Sequence, residues 1–297
     1  MDGKSVVLDP FFHLTPQCKK RRKGSMHGQV IVPGFILLLS LICNAAFARP
    51  LGVTFLDVGE GEAIVVQSGP QTGLIDAGNL ITGHRVLTFL LERGVKHLDW
   101  VLITHPHSDH LSGIFQLLPT MEIRQRYDNG QSQPESDDIF RWYREQYRIG
   151  NYRVLRKGDQ FQLGDAQLTV LNAQQTGRVN MNQNSLVLKL SHGKVKMLFM
   201  ADAGVEVEKS LIEQGVDLSA HVLKIGHHGA SDATSTELLD AVNPDYAIIS
   251  INDANLRAYP SSDVVNRVRQ RNISLIMTFH EGDISFESNG EQVSRIE

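Results

Sequence analysis

The chain has 297 residues, 41% of them hydrophobic and 21% charged, with a formal net charge of −4 at pH 7. This composition belongs to a soluble globular protein, excludes wholesale disorder, and allows one large domain or two small ones.

The first 48 residues depart from that average. A basic run, KKRRKGSMHGQ, precedes the apolar VIVPGFILLLSLIC and then NAAFARP. A positive segment, an apolar segment and an A-x-A-like site at Ala46-Phe47-Ala48 predict a secretory signal over residues 1–48, cleaved after Ala48. The apolar run is short for a spanning helix, which needs about 20 residues. An uncleaved N-terminal anchor is the alternative. Cleavage would leave residues 49–297 as one periplasmic or secreted domain with no stable membrane insertion. Cys18 and Cys43 both precede Ala48. The mature chain would then have no disulfide and no thiolate, and any metal in it is held by His, Asp and Glu. Residues 49–297 carry 23 basic and 31 acidic side chains, a net of −8. Such a surface disfavours tight nonspecific binding of DNA.

From residue 51 the pattern alternates strands and helices. GVTFLDV, EAIVVQS and TGLIDAG are β-branched runs punctuated by glycine and read as strands. TGHRVLTFLLERG has helical spacing, with Thr82 as a candidate N-cap and Gly94 as a stop. LDWVLIT is a buried strand, and SDHLSGIFQLL opens a helix. SDDIFRWYREQYRIG reads as an amphipathic helix whose aromatics pack inward, with a substrate groove lined by Trp142, Tyr143 and Tyr147 as the alternative. NSLVLKLS and KVKMLFMAD read as a hairpin turned at HGK. GVEVEKSLIEQG, STELLDAV and SSDVVNRVRQRN are helices that alternate with the strands AHVLKIG, DYAIISI and SLIMTFH, and DISFES closes the chain. Strands with helices outside them predict a layered α/β sandwich over one domain, 49–297.

The chemistry concentrates in VLITHPHSDHLSG. His105 and His107 are two apart at the end of an apolar strand, so extended backbone points them to the same side. Asp109 and His110 follow where the chain turns into a helix. Four metal-ligand types converge there on a volume suited to two divalent ions.

This H-x-H-x-D-H pattern resembles the signature of the metallo-β-lactamase superfamily. The resemblance implies a four-layer αββα fold and assigns further residues. Asp76, in LIDAGN, matches the aspartate that orients the histidine loop. Asp202, in MLFMADAG, matches the aspartate that bridges two metals. His228, in LKIGHHGA, matches the late histidine ligand. Taken alone, Asp76 also reads as a turn residue and Asp202 as a helix N-cap. His227 is then a substrate-facing or proton-donating catalytic group, or a packed core histidine. The order of FLDVGEGEAIVVQS, LIDAGN, THPHSDHLSG, NQNSLVLKL, VLKIGHHGA, STELLDAVNPDYAIIS and GDISF is similar to the hydrolase domain of ComEC-type DNA-uptake proteins. That family domain is fused to membrane helices, so this chain looks like a free-standing exported relative.

Three positions depart from the family. Glu62 stands where Asp is usual, and Tyr259-Pro260 stands where His-Pro is usual, with His280 as a candidate replacement in space. The third histidine of most lactamases is missing: His192, the one histidine between His110 and Asp202, is expected at the surface of the SHGK turn, and Asn184-Ser185 occupies the equivalent stretch. The resemblance implies one ion on His105, His107 and Asp202 and a second on Asp109, His110, Asp202 and His228. All-N/O ligation suits zinc or manganese. The expected activity is hydrolysis of a small-molecule or nucleic-acid phosphodiester by a metal-bridging hydroxide, with Asp109 and His227 as catalytic groups. A hydrolase of a β-lactam, lactone or thioester is the runner-up, and a non-catalytic metal-containing envelope binding protein is the alternative of another class.

Overall fold

Alternating apolar residues bury both faces of short strands, and helices cover the outer faces. The computed structural model describes residues 49–132, 138–173, 180–252 and 258–296; the signal or anchor expected over 1–48 lies outside them. β1 (Leu51–Phe55), β2 (Ile64–Ser68) and β3 (Gln71–Ile75) form an antiparallel meander. β4 (His97–Leu98) pairs with β6 (Glu122–Ile123). β5 (Trp100–Ile103), β7 (Arg126–Asp128) and β8 (Tyr152–Val154) extend the first sheet in parallel from β3.

The second sheet begins with β9 (Gln160–Leu163), β10 (Ala166–Asn172), β11 (Val187–His192) and β12 (Val195–Phe199), all antiparallel. It turns parallel through β13 (Val222–Lys224), β14 (Tyr246–Ile249) and β15 (Ser274–Met277). β16 (Ile284–Ser288) and β17 (Val293–Ile296) return to the first sheet beside β1.

The helices are α1 (Gly83–Glu92), α2 (Ser108–Leu111), α3 (Ile114–Leu117), α4 (Asp138–Gln146), α5 (Val205–Glu213), α6 (Thr236–Val242), α7 (Ser262–Arg269) and α8 (Thr278–Glu281). β5 shows how the layers arise. Trp100 and Leu102 join the core between the sheets, with Phe55, Leu188 and Phe199. Val101 and Ile103 face the other way, into the core under α1, α3 and α4. A third core, including Leu223, Ile249, Leu211 and Val264, lies between the second sheet and α5, α6 and α7. The order is helix, sheet, sheet, helix, the expected αββα sandwich. Among the described residues no helix is long and apolar enough to cross a membrane.

Four expectations need correction. SDHLSGIFQLL breaks into α2 and α3, because Gly113 lies against the Ala77 carbonyl with no room for a Cβ, and its N–H donates to Gly78 O at 2.9 Å. SLIMTFH stays extended only to Met277; Thr278 starts α8, and its Oγ1 bonds both the N–H and the carbonyl of Ile251. DISFES is followed by one more strand, β17. His192 is fully buried instead of surface-exposed. It ends β11, and the hairpin after it tucks under the β16–β17 turn, where Lys194 N donates to Gly290 O and His192 Nδ1 lies 2.8 Å from Ser288 Oγ.

Candidate metal centre

The site lies where parallel strands of both sheets end, the place at which α/β folds present functional groups. β3 ends at Asp76, β5 leads into Thr104–His110, β12 leads to Asp202, and β13 leads to the turn Gly226–Gly229. Asp76, His227 and His228 all have φ between 48° and 56°. Backbone held there is strained for a residue with a side chain, and such strain collects at functional sites.

Asp76 organises the first half. Its Oδ1 accepts the Thr104 N–H, and its Oδ2 accepts the Thr104 hydroxyl and faces His110 Nδ1, each at 2.7 Å. Burial pushes the Asp76 carboxyl above its ordinary value although His110 beside it pulls the other way. A carboxylate oxygen accepts, so His110 carries its proton on Nδ1 and turns Nε2 inward. The Thr104 hydroxyl has spent its proton on Asp76, so it accepts from His105 Nδ1 at 3.1 Å. His228 Nδ1 donates to Ser250 O at 2.9 Å. Each histidine is therefore pinned by one nitrogen and presents Nε2 to a shared space.

Two carboxylates face those nitrogens. Asp202 Oδ1 lies 3.3 Å from His110 Nε2 and 3.5 Å from His228 Nε2, while its Oδ2 lies 3.5 Å from His105 Nε2. Asp109 Oδ2 lies 3.6 Å from His228 Nε2. His110 Nε2, His228 Nε2 and Asp202 Oδ1 are buried without a hydrogen-bond partner. Leaving three buried polar atoms unsatisfied is costly unless something between them completes the set. An ion with N/O ligation fits. His105, His110 and Asp202 offer donor atoms within 4.8 Å of one another, and so do Asp109, His110 and His228.

The electrostatics agree. Burial works against the charge on Asp202, yet His110 and His228 outweigh it and hold the carboxyl well below its ordinary value. Burial likewise opposes the charged form of His110, but Asp202 and Asp76 hold that ring well above its ordinary value. The pocket favours positive charge. Burial and the neighbouring His105 lower His107 to about 4, which keeps its ring neutral.

The donor sets differ from the expected pairing. His110 stands beside His105 and Asp202, where His107 was expected, and belongs to both sets. His107 sits at the outer edge, half-buried, with Nδ1 2.9 Å from His105 Nε2. His227 lies outside both sets. Its Nδ1 is 2.9 Å from Asp232 Oδ1, and its Nε2 is 3.1 Å from Asn182 Nδ2 and 3.4 Å from the Tyr259 hydroxyl. His280 is exposed, with its ring on Phe279. Asn182 and Asp232 were not singled out in the sequence: each is an ordinary polar residue until the fold brings it to His227. Beside Asp202 opens a cleft of about 260 Å³, lined in part by Asn182, Gln183, Val205, Glu206 and Asp232.

Comparison with known proteins bears on this geometry. A family model described as the metallo-beta-lactamase superfamily matches residues 53–251. ComE operon protein 3 of Bacillus subtilis (strain 168) is 27% identical over 254 residues, covering 79% of this chain and 32% of that protein. Competence protein ComA of Neisseria gonorrhoeae is 29% identical over 236 residues, again 79% of this chain and 32% of that protein. The chain spans about a third of the length of these relatives. Among solved structures, the metallo-beta-lactamase fold protein YhfI from Bacillus subtilis aligns with a TM-score of 0.55 at 14% identity, covering 81% of this chain and 100% of that one. That likeness shows a shared fold.

Proposed function

The chain belongs to the metallo-beta-lactamase superfamily, typically metal-dependent hydrolases, and on that premise we propose that it is an exported phosphodiesterase working with two divalent ions, zinc or manganese. The observation that carries this reading is the pair of inward-turned nitrogens, His110 Nε2 and His228 Nε2, buried without hydrogen-bond partners beside Asp202 and Asp109. His105, His107, Asp109, His110, Asp202 and His228 would hold the ions. When bound, such ions supply an acidified water and polarise the phosphoryl oxygen under attack. Asp76 fixes the His110 tautomer and, through Thr104, the His105 ring. Asp109 is the ionised carboxylate at the open side of the pair. His227 is the group that passes a proton to the departing alcohol: Asp232 orients its Nδ1, and Nε2, which faces the Asn182 amide N–H, takes up a proton before donating it.

The cleft beside Asp202 supports a small polar ester arm. It offers the Asn182 and Gln183 amides and carries the Glu206 and Asp232 carboxylates, with Gln183 bonded to Glu206. Small diesters fit that lining better than a polyanion. The match to two competence proteins over 79% of the chain favours nucleic acid as the second reading. Export rests on the order of basic, apolar and small residues in 1–48.

The test is a substrate panel on metal-reconstituted protein. Turnover of bis-p-nitrophenyl phosphate and small alkyl diesters, with little on nitrocefin, is expected. Turnover of nitrocefin alone would replace this reading with the carbonyl one. Stoichiometric metal with turnover of neither these nor DNA would leave a binding protein.

A further inference from the structure

We infer that the buried Glu62–Lys224 ion pair is a positioning pair that sets the spacing between the two ligand-bearing halves of the metal centre; this rests on the metal-centre reading above. Glu62 Oε2 and Lys224 Nζ are 2.6 Å apart, and both side chains are fully excluded from solvent. A buried ion pair is poor evidence for stability, because desolvating both charges opposes their attraction. Its presence at this place points to another role, and the bonds around it supply one.

Each partner is tied to a different half of the site. The Glu62 N–H donates to Asp109 O at 3.2 Å, and the Glu62 carbonyl accepts from Gly78 N at 2.8 Å. The preceding Gly61 has φ +136°, and a Cβ there would collide with the Asp109 carbonyl. The 59–63 loop is thus pressed onto the peptide of Asp109 and onto the turn after Asp76. On the other side, the Lys224 carbonyl accepts from Met200 N at 3.3 Å, two residues before Asp202. Lys224 Nζ also donates to Ile225 O at 2.9 Å, at the entry to the turn that carries His227 and His228. One side-chain contact therefore joins the backbone at Asp109 and Gly78, two residues after Asp76, to the backbone at Met200 and Ile225, which lead into Asp202 and His228. These two halves come from different sheets. Groups that hold ligands in place control metal affinity without touching the metal.

The test is a double-mutant cycle on metal binding. Metal-free protein, Glu62→Gln, Lys224→Met and the double variant are titrated with zinc by calorimetry, each far below its own melting temperature. Each single variant should bind about 10–100-fold more weakly, the range for lost outer supports of a metal site. The double variant should fall within about threefold of the weaker single, because both changes break one bridge. Folded single variants that bind like the parent, or losses that add as independent effects, would overturn the inference. A merely structural pair would lower the melting temperature and leave zinc affinity unmoved. If Lys224→Met does not fold, Glu62→Gln decides alone: it keeps the shape and one acceptor, so about tenfold weakening supports the role and parent-like binding refutes it. A parent protein that binds no divalent ion overturns both this inference and the hydrolase reading; parent binding with unaffected variants overturns this one only.

Discussion

Asp109 and His192 mark the two ends of what a single side chain does in this molecule. Asp109 faces His228 Nε2 at the open side of the donor set, and His110 and His228 hold it ionised against the pull of burial. Asp109→Ala should remove one ion per chain and lower hydrolysis by more than the roughly 10–100-fold that an outer support costs. Elemental analysis beside a rate assay checks this, and full activity would sink the two-ion reading. His192 ends β11, about 17 Å along the strand from its first residue, Val187. Burial drives its ring below the ordinary value of a histidine. In acid the unfolded chain then binds a proton that the folded chain refuses, so stability rises with pH across this window. The contribution is fully present above about pH 6.5 and is lost as pH falls through the lower folded value. His192→Gln should flatten the acid limb of melting temperature against pH, compared with the parent, and leave hydrolysis unchanged. A large loss of activity would put His192 among the groups the reaction needs. The ligands themselves were legible because they cluster as H-x-H-x-D-H or end apolar strands. Lys224 and Asn182 were not, because nothing local marks a lysine or an amide whose partner is 45 or more residues away in the chain, as for Asn182 and His227; Asp232 was not, because an aspartate five residues after a histidine follows no local pattern.

Helix α4 shows how an element resolves two readings of one stretch. Tyr143 and Tyr147 are fully buried, whereas Trp142 is 36% exposed and packs edge-on against Phe115. Tyr147 faces inward to donate to Val101 O at 2.8 Å, and Tyr143 to reach Asp128, at the end of β7, which collects donors from Tyr143 at 2.9 Å, Tyr152 at 2.6 Å and Arg148 at 2.6 Å. Burial, with the Asp128 charge added, pushes the Tyr143 hydroxyl well above its ordinary value, so it stays a donor. Tyr143→Phe should cost about 1.5–3 kcal/mol in urea denaturation, the worth of a hydrogen bond to a charged group. Turnover should not move; a change in KM without a change in stability would restore the groove reading. The same region held several of the strands that the sequence concealed. β7, β8 and β9 are three or four residues long, and RYD, YRV and QFQL are rich in charged and polar groups because each is partly exposed. Period-two alternation is too short there to register. The parallel strands β13 and β14 were legible for the opposite reason: they are buried on both faces apart from Tyr246, so they sit in longer apolar runs.

At the scale of the whole molecule, the two sheets bring their strand ends to one edge, and the charge of everything around that edge decides which substrates arrive. Residues 49–297 carry a net of −8, and two of those carboxylates, Glu206 and Asp232, line the cleft beside Asp202. A polynucleotide must approach against that field, whereas a small diester with one charge barely feels it. Screening separates the two cases. Between about 10 mM and 150 mM salt the Debye length shrinks from about 30 Å to about 8 Å. At fixed free metal, kcat/KM for single-stranded DNA should therefore rise at least about threefold over that range, since salt weakens a repulsion. The value for bis-p-nitrophenyl phosphate should stay nearly constant. The opposite sign for DNA, a steep fall with salt, is the signature of counterions released from phosphates by bound lysines and arginines. That outcome would mean that the chain engages a polynucleotide through a basic surface, and it would move nucleic acid from the second reading to the first.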